Sequence, residues 1–200
     1  MENSGTQTHM VEVPSNVDDM IGVSEIAKKY EALYENTVEI FHKVNCHMDN
    51  FDSYLVEIDC MKKLEDSGFT PKLIDGQILA KVECIKYIRE HRIASVYYIT
   101  LTRMQNLNAK SLSELYIPEN KRHKYLGPGT FMSANNDNLD DIKSLFPTKY
   151  IPSNVTDEVI RKLKILFEKY GIYHEDIHPG NFLELDGKIF VVDFECVTIV

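Results

Sequence analysis

Long hydrophobic runs are missing from this 200-residue sequence. No window approaches the roughly 18 uninterrupted apolar residues that a membrane-spanning helix needs. The polar segment 1–10 also lacks the apolar stretch of a secretory signal peptide. We therefore expect an intracellular, cytoplasmic protein (in the host-cell cytoplasm if it is viral) that does not bind membranes.

Paired cysteines are missing as well. Cys46, Cys60, Cys84 and Cys196 are scattered, with no C-x-x-C pair and no histidine at the spacing of a zinc site. Isolated structural thiols in a reducing compartment are the simplest interpretation of this pattern. The sequence therefore predicts neither a disulfide framework nor a structural zinc site.

Basic residues are few: 22 Lys and Arg stand against 31 Asp and Glu, which gives a net charge of −9. This balance argues against a dedicated nucleic-acid binder, whose affinity comes from clustered cations that meet phosphates. A nucleotide pocket is still allowed, because it needs only two or three local cations. With 44% apolar and 26% charged residues, the chain has the composition of one globular domain or one compact two-lobed unit.

The first half of the chain divides into four segments. Residues 1–17 are polar and aperiodic and predict a flexible tail. Residues 20–44 combine short apolar and β-branched groups with turn residues, a pattern typical of strands. A helix is predicted for Asp52–Ser67, and Gly68 would end it. The apolar run Ala94–Met104 predicts a well-buried strand.

The second half begins with an irregular stretch. Residues 105–155 contain glycine, proline and polar clusters that predict a long surface excursion. A helix is then predicted for Thr156–Tyr170, with Thr156 as its N-cap. Two short strands follow at Phe182–Leu185 and Lys188–Val192, and the Asp186-Gly187 pair between them is a strong hairpin signal.

The most informative segment is Tyr173–Glu195. It contains His174-x-Asp176, then Asn181 five residues after Asp176, then the hairpin, then Asp193-Phe194-Glu195. This order resembles the protein-kinase-like superfamily, which carries H-x-D-x-x-x-x-N, a hairpin and D-F-G. The resemblance is specific because four residue types, two spacings and the intervening hairpin all agree.

The resemblance implies a set of roles in phosphoryl transfer, with ATP and Mg²⁺ as cofactors. Asp176 would be the catalytic base that accepts or orients the proton of the attacking hydroxyl. Asn181 and Asp193 would be the oxygen ligands of Mg²⁺. His174 would brace the loop rather than take part in the chemistry.

The resemblance also extends to a possible phosphate-binding loop near the N-terminus. Laid against the I-G-x-G-x-x-G pattern of the family, Ile21 and Gly22 match, whereas Ser24 and Ala27 replace the second and third glycines. Small residues still allow backbone N–H groups to approach phosphate oxygens. We therefore expect these four residues to contact the nucleotide.

A lysine on a strand and a glutamate on the following helix come next in the family order. Lys43 ends the strand-like run TVEIFHK, and Glu57 lies in the predicted helix on the face that turns inward. A buried carboxylate needs a partner. The resemblance implies that Lys43 is this partner and that it also reaches the α- and β-phosphates.

These matches together imply an α+β, bilobal, protein-kinase-like fold. Its antiparallel-sheet N-lobe would comprise residues 18–105, and a truncated, mainly helical C-lobe would comprise residues 106–200. Only seven residues follow Asp193. The helices that form the peptide-binding platform in full protein kinases are therefore absent from this sequence. Because a shortened lobe exposes apolar surface, we expect an activating partner or a homodimer.

The leading functional hypothesis is a minimal serine/threonine protein kinase that phosphorylates a protein substrate. Two alternatives remain open. The run from His178 to Asn181 and Glu195 in place of the D-F-G glycine resemble aminoglycoside and choline phosphotransferases, which phosphorylate small-molecule hydroxyls. The replaced loop glycines would also suit a pseudokinase that regulates a partner.

Overall fold

In the computed structural model, the described part of the chain consists of residues 6–14, 18–125 and 139–200. The protein is α+β and forms two compact units. The first contains residues 1–58 and 73–106, and the second contains residues 59–72 and 107–200. The chain thus enters the second unit twice, first over residues 59–72 and then from residue 107 onward.

A four-stranded sheet forms the centre of the first unit. Its strands are β1 (Gln7–Glu12), β2 (Ile40–Met48), β3 (Leu73–Ile88) and β4 (His91–Gln105). They lie side by side in the order β1-β3-β4-β2. β1 runs parallel to β3, whereas β2 and β3 both run antiparallel to β4. The sheet is therefore mixed and not purely antiparallel as expected. β4 includes the buried strand that the sequence predicted.

Two helices cover this sheet. Helix α1 (Asp19–Glu31) packs Val23 and Ile26 against the side chains of alternate strand residues. Helix α2 (Asp52–Lys63) places Tyr54 and Ile58 so close to Gly76 that a Cβ there would collide with both side chains. The apolar core shared by α1 and the sheet consists mainly of Val23, Ile26, Leu79, Ala80, Val82, Tyr97, Ile99 and Leu101.

The strand-like pattern predicted for residues 20–44 is wrong over its first half, because residues 19–31 form α1. Two helical signals outweighed the β-branched residues. Val23, Ile26, Ala27 and Tyr30 recur at helical spacing and all pack against the core. The side chain of Asp18 caps the first turn by accepting a hydrogen bond from the backbone N–H of Met20, 3.0 Å away.

The flexible tail predicted for residues 1–17 is also wrong over residues 7–12, which form β1. Val11 and His9 are half-buried in this strand, and Val13 just beyond it is buried. Its partner strand lies about 70 positions later in the chain, since His9 pairs with Val82. Local composition carries no information about so distant a partner. Residues 1–5 and 15–17 lie outside the described residues.

The second unit contains short helices, one long helix and two small sheets. The expected irregular stretch of residues 105–155 is more regular than predicted where it is described, and residues 126–138 lie outside the described residues. The elements are β5 (Lys110–Ser111), α3 (Leu112–Tyr116), α4 (Glu119–Arg122), α5 (Leu139–Leu145), α6 (Ser153–Tyr170), β6 (Ile172–His174), β7 (Phe182–Leu185), β8 (Lys188–Val191) and β9 (Val197–Ile199). The strand order is β5-β7-β8 in one sheet, and β6 pairs with β9 in the other.

The long helix α6 and the hairpin agree closely with the sequence. α6 ends as predicted at Gly171, whose φ of 63° is left-handed. It begins at Ser153, so Thr156 is a buried residue of the first turn and not the N-cap. In the predicted hairpin, Asp186 and Gly187 have φ angles of 51° and 77°, as a two-residue turn with right-handed strand twist requires.

No helix among the described residues is long and apolar enough to cross a membrane. The longest, α6, has 18 residues. Charged side chains, among them Arg161, Lys164 and Glu168, lie on the helix face opposite its buried residues.

We predict that truncating Val13 destabilises the first unit, because the N-terminal segment is part of its core. Val13→Ala should lower the free energy of unfolding by about 1–3 kcal/mol, measured by urea denaturation. Glu12→Ala, which changes an exposed neighbour, should alter it by less than about 0.5 kcal/mol. Equal stability of both variants would mean that residues 6–14 do not pack as described.

Candidate functional site

The candidate site in the second unit is built around the ring of His174. This residue is buried, and its Nδ1 accepts a hydrogen bond from the backbone N–H of Asp176 at 3.3 Å. The proton of the ring therefore lies on Nε2, which donates to the backbone oxygen of Val192 at 3.1 Å. Burial lowers the pKa of His174 and favours this neutral form. The ring thus braces the loop, the role that the resemblance implied.

Asn181 holds the carboxyl group of Asp176. Its side-chain Nδ2 donates to the backbone oxygen of Asp176 at 3.0 Å and to the carboxylate Oδ2 at 3.1 Å. Because the amide nitrogen is committed in this way, the amide oxygen of Asn181 is oriented away from Asp176 as an acceptor. The asparagine is buried, whereas the side chain of Asp176 is 25% exposed. A proton-accepting group therefore remains accessible in a fixed orientation.

The hairpin returns the chain to this loop. The backbone N–H of Val192 donates to the backbone oxygen of Asn181 at 3.0 Å, which places the following residue, Asp193, beside Asn181. Asp193 has a left-handed φ of 64°, a conformation that aspartate tolerates better than most residues. Phe194 is buried, with its ring centroid 5.5 Å from that of His174. The second unit thus carries Asp176 and Asn181 on one loop and returns Asp193 next to it.

The first unit contains the predicted lysine–glutamate pair. The Nζ atom of Lys43 lies 2.9 Å from Oε1 of Glu57, and the glutamate side chain is only 2% exposed. Thr102 also donates to Oε2 of Glu57, at 3.5 Å. Lys43 and Thr102 are directly opposite each other on β2 and β4, so their side chains share the sheet face that α2 covers. The register of the sheet therefore sets up this ion pair.

The predicted phosphate-binding loop is not present. Ile21, Gly22, Ser24 and Ala27 all lie on helix α1. The backbone N–H of Ile21 donates to the oxygen of Asp18 at 3.2 Å, and from Gly22 onward the N–H groups bond to carbonyl oxygens four residues earlier, so they are not available to phosphates. Glycine is needed at position 22 for close packing instead, because a Cβ there would lie 2.7 Å from Cγ1 of Val11 on β1. The prediction that these four residues form a glycine-type loop is therefore wrong.

From the sequence, His178 was expected to stand in for the lysine that contacts the transferred phosphate, as a weaker and pH-dependent positive charge, and Thr102 was given no role. His178 Nδ1 accepts a hydrogen bond from the N–H of Gly180 at 3.0 Å, and its Nε2 lies 3.4 Å from Oδ2 of Asp176. The His-x-Gly spacing is a local signal that could have suggested the first contact. Thr102 could be found only from the β2–β4 register, which the sequence does not reveal.

Comparison with known proteins adds no assignment to this site. No protein-family model matches the chain, and no curated protein matches it. The case for a function therefore depends on the chemistry of the two residue groups described above.

We predict that Lys43→Met destabilises the protein, because it leaves the buried Glu57 carboxylate without its cation. Since Lys43 is 21% exposed, we expect a loss of about 2–4 kcal/mol in urea denaturation, below the full cost of breaking a buried pair. Adding Glu57→Gln should recover part of this loss. Lys29→Met, at an exposed position of α1, should change stability by less than about 0.5 kcal/mol. A Lys43→Met variant as stable as the wild type would contradict the pairing.

We predict that neutral His174 makes the fold sensitive to acid. The unfolded chain takes up a proton on His174 near its ordinary pKa of about 6.5, whereas the lowered pKa keeps the folded form neutral. Protonation of His174 therefore favours unfolding. The stability that its neutral ring contributes above a pH of about 6.5 is lost as the pH falls below that value. The contribution of this residue approaches about 1.4 kcal/mol per pH unit.

The measurement is urea denaturation at several pH values between about 7 and 5.5, the range in which an unfolded histidine titrates. His174→Gln should flatten the dependence of unfolding free energy on pH, even if the variant is less stable throughout. His91→Gln removes an exposed histidine and should leave the slope unchanged. Identical slopes for wild type and His174→Gln would show that His174 is not buried in its neutral form.

Proposed function

We propose that this protein is an ATP- and Mg²⁺-dependent phosphotransferase of the protein-kinase-like superfamily. The observation that carries the proposal is the carboxylate of Asp176, which Asn181 holds in a loop that the hairpin joins to Asp193. Phosphoryl transfer asks a protein mainly to position groups and to neutralise charge. These three residue types in this arrangement suit that task.

Asp176 is the proposed catalytic base. Its side chain is accessible, and the amide group of Asn181 donates to both its carboxylate and its backbone oxygen, which fixes the carboxylate relative to the loop. In the proposed reaction it accepts the proton of an acceptor hydroxyl as that oxygen attacks the γ-phosphorus. A base must be fixed in position and still be reachable, and Asp176 meets both requirements.

The donor set of Asn181 and Asp193 fits Mg²⁺. Both offer oxygen ligands, and the amide nitrogen of Asn181 is already used, so its oxygen is the atom oriented for a cation. Asn181 and Asp193 would hold the ion, which supplies neutralisation of the charge on the phosphate oxygens. The hydrogen bond between Val192 and Asn181 keeps these two residues adjacent.

Lys43 is the proposed phosphate-binding cation of the first unit. Its pairing with the buried Glu57 limits its rotamers while leaving 21% of the side chain exposed. Because α1 replaces the expected phosphate-binding loop, the proposal assigns this role to Lys43 and not to Ile21, Gly22, Ser24 or Ala27.

For the acceptor, we propose the hydroxyl of a serine or threonine in a protein substrate, as in a minimal serine/threonine protein kinase. One observation favours a small-molecule hydroxyl kinase as the second candidate. The residue beside the Asp176 carboxylate is His178, 3.4 Å away, at a position where serine/threonine protein kinases usually carry lysine. The two candidates predict different acceptors, and one assay can separate them.

We predict that the purified protein transfers labelled γ-phosphate from Mg-ATP and that Asp176→Asn reduces the rate by about 10²–10⁴-fold, the usual contribution of a general base. The acceptors are dephosphorylated casein, the protein itself, and a panel of small hydroxylated compounds that includes an aminoglycoside and choline. Label in protein supports the protein kinase, and label only in a small molecule supports the second candidate.

The matched control is Asp186→Asn, which removes an exposed carboxylate from the hairpin turn and keeps a residue that tolerates its left-handed φ. This variant should keep wild-type activity. Chelation of Mg²⁺ with EDTA should abolish transfer. Equal background incorporation by wild type and Asp176→Asn, with every acceptor, would contradict the proposal and favour a pseudokinase that regulates a partner.

A further inference from the structure

Two histidines of the candidate site make the same local contact. The Nδ1 atom of His174 accepts the backbone N–H of Asp176, and the Nδ1 atom of His178 accepts the backbone N–H of Gly180. In each case the donor lies two residues further along the chain, the geometry in which asparagine and aspartate side chains form Asx turns. Each imidazole therefore satisfies a backbone donor of the loop that carries Asp176.

This contact determines the position of the proton on each ring. A nitrogen that accepts a hydrogen bond carries no proton, so in a neutral imidazole the proton lies on the other nitrogen. Because Nδ1 of His178 is the acceptor, the N–H of this ring lies at Nε2. That N–H faces Oδ2 of Asp176 at 3.4 Å, slightly beyond ordinary hydrogen-bond length. Catalytic contacts of this kind often shorten when substrate binds.

Two donors thus converge on the same carboxylate oxygen of Asp176. Asn181 Nδ2 lies 3.1 Å from Oδ2, and His178 Nε2 approaches it as well. Donors on Oδ2 keep negative charge on the carboxylate and fix its rotation. The other oxygen, Oδ1, is then the one available to accept a proton. A cation at position 178 would instead attract the carboxylate without selecting one oxygen.

We infer that His178 is a positioning residue whose Nε2 donates to Oδ2 of Asp176 and makes Oδ1 the proton acceptor. This inference rests on the proposed function. In the reaction, the acceptor oxygen bonds to the γ-phosphorus and its proton moves to Oδ1. The bond from that phosphorus to the bridging oxygen breaks, and its electron pair leaves with ADP.

Two substitutions separate the donor role of His178 from its turn-capping role. His178→Asn keeps an oxygen that accepts the Gly180 N–H but is too short to reach Asp176. His178→Gln places an N–H₂ group where Nε2 lies but caps the turn less well. We expect His178→Asn to keep the wild-type melting temperature and to lose about 10- to 100-fold in kcat, the range for a hydrogen bond to a charged group. We expect His178→Gln to melt lower and to stay within about threefold of wild-type kcat.

A purely structural role predicts the opposite order, with activity following thermal stability. His178→Gln slower than His178→Asn would therefore overturn the inference. So would unchanged kcat in His178→Asn. The rates are measured with labelled Mg-ATP and casein, or with the small hydroxyl compound that the wild type phosphorylates, beside Asp176→Asn.

A second measurement does not depend on activity. Long-range ¹H–¹⁵N spectra of protein labelled at its seven histidines, with His178 assigned by comparison with His178→Gln, report which ring nitrogen carries the proton. We expect a protonated Nε2 and an unprotonated Nδ1 near neutral pH. A proton on Nδ1, or on both nitrogens, would overturn the inference even in a protein that transfers phosphate. Absence of transfer by the wild type, with Nε2 protonated, would contradict the proposed function and leave the state of His178 as inferred.

Discussion

The candidate site depends on two hydrogen bonds of the Val192 backbone, one at its N–H and one at its C=O. Its N–H donates to the backbone oxygen of Asn181, and its C=O accepts from the buried ring of His174. These two hydrogen bonds join the segment before the hairpin to the segment after it. Without them, Asp193 would have no fixed position relative to Asn181. Their burial makes them costly to break, since unpaired backbone groups in the interior lose their solvation.

The first unit depends on a similar constraint, the nearly complete burial of Glu57. A carboxylate removed from water requires a cation or several hydrogen-bond donors. Lys43 and Thr102 provide them from two neighbouring strands. The register of β2 against β4 therefore has an electrostatic consequence as well as a packing one. A one-residue slip would turn Lys43 to the opposite face of the sheet and remove the Lys43 cation from Glu57.

Elements with strong local signals agreed with the structure. The Asp186-Gly187 hairpin, the end of α6 at Gly171 and the buried strand over residues 94–104 all follow from turn chemistry, helix termination or a continuous apolar run. The errors came where short segments depend on distant partners. Strand β1 forms because it pairs with β3. Residues of α1 were predicted to form a strand and a phosphate-binding loop because Gly22 and Ser24 match the spacing of small residues in the loop of the protein-kinase-like family.

The sequence by itself determined the hairpin turn and the positions of Asp176, Asn181 and Asp193 around it, and the resemblance to the protein-kinase-like superfamily singled these residues out. The same resemblance implied that Lys43 would pair with Glu57. Only the tertiary structure decided that residues 19–31 are helical and that Thr102 joins Glu57. It also decided that His178 turns Nε2 toward Asp176. The physical reason is that these features depend on sheet register, burial and ring orientation, which arise from contacts between residues far apart in the chain or from the direction of a side chain.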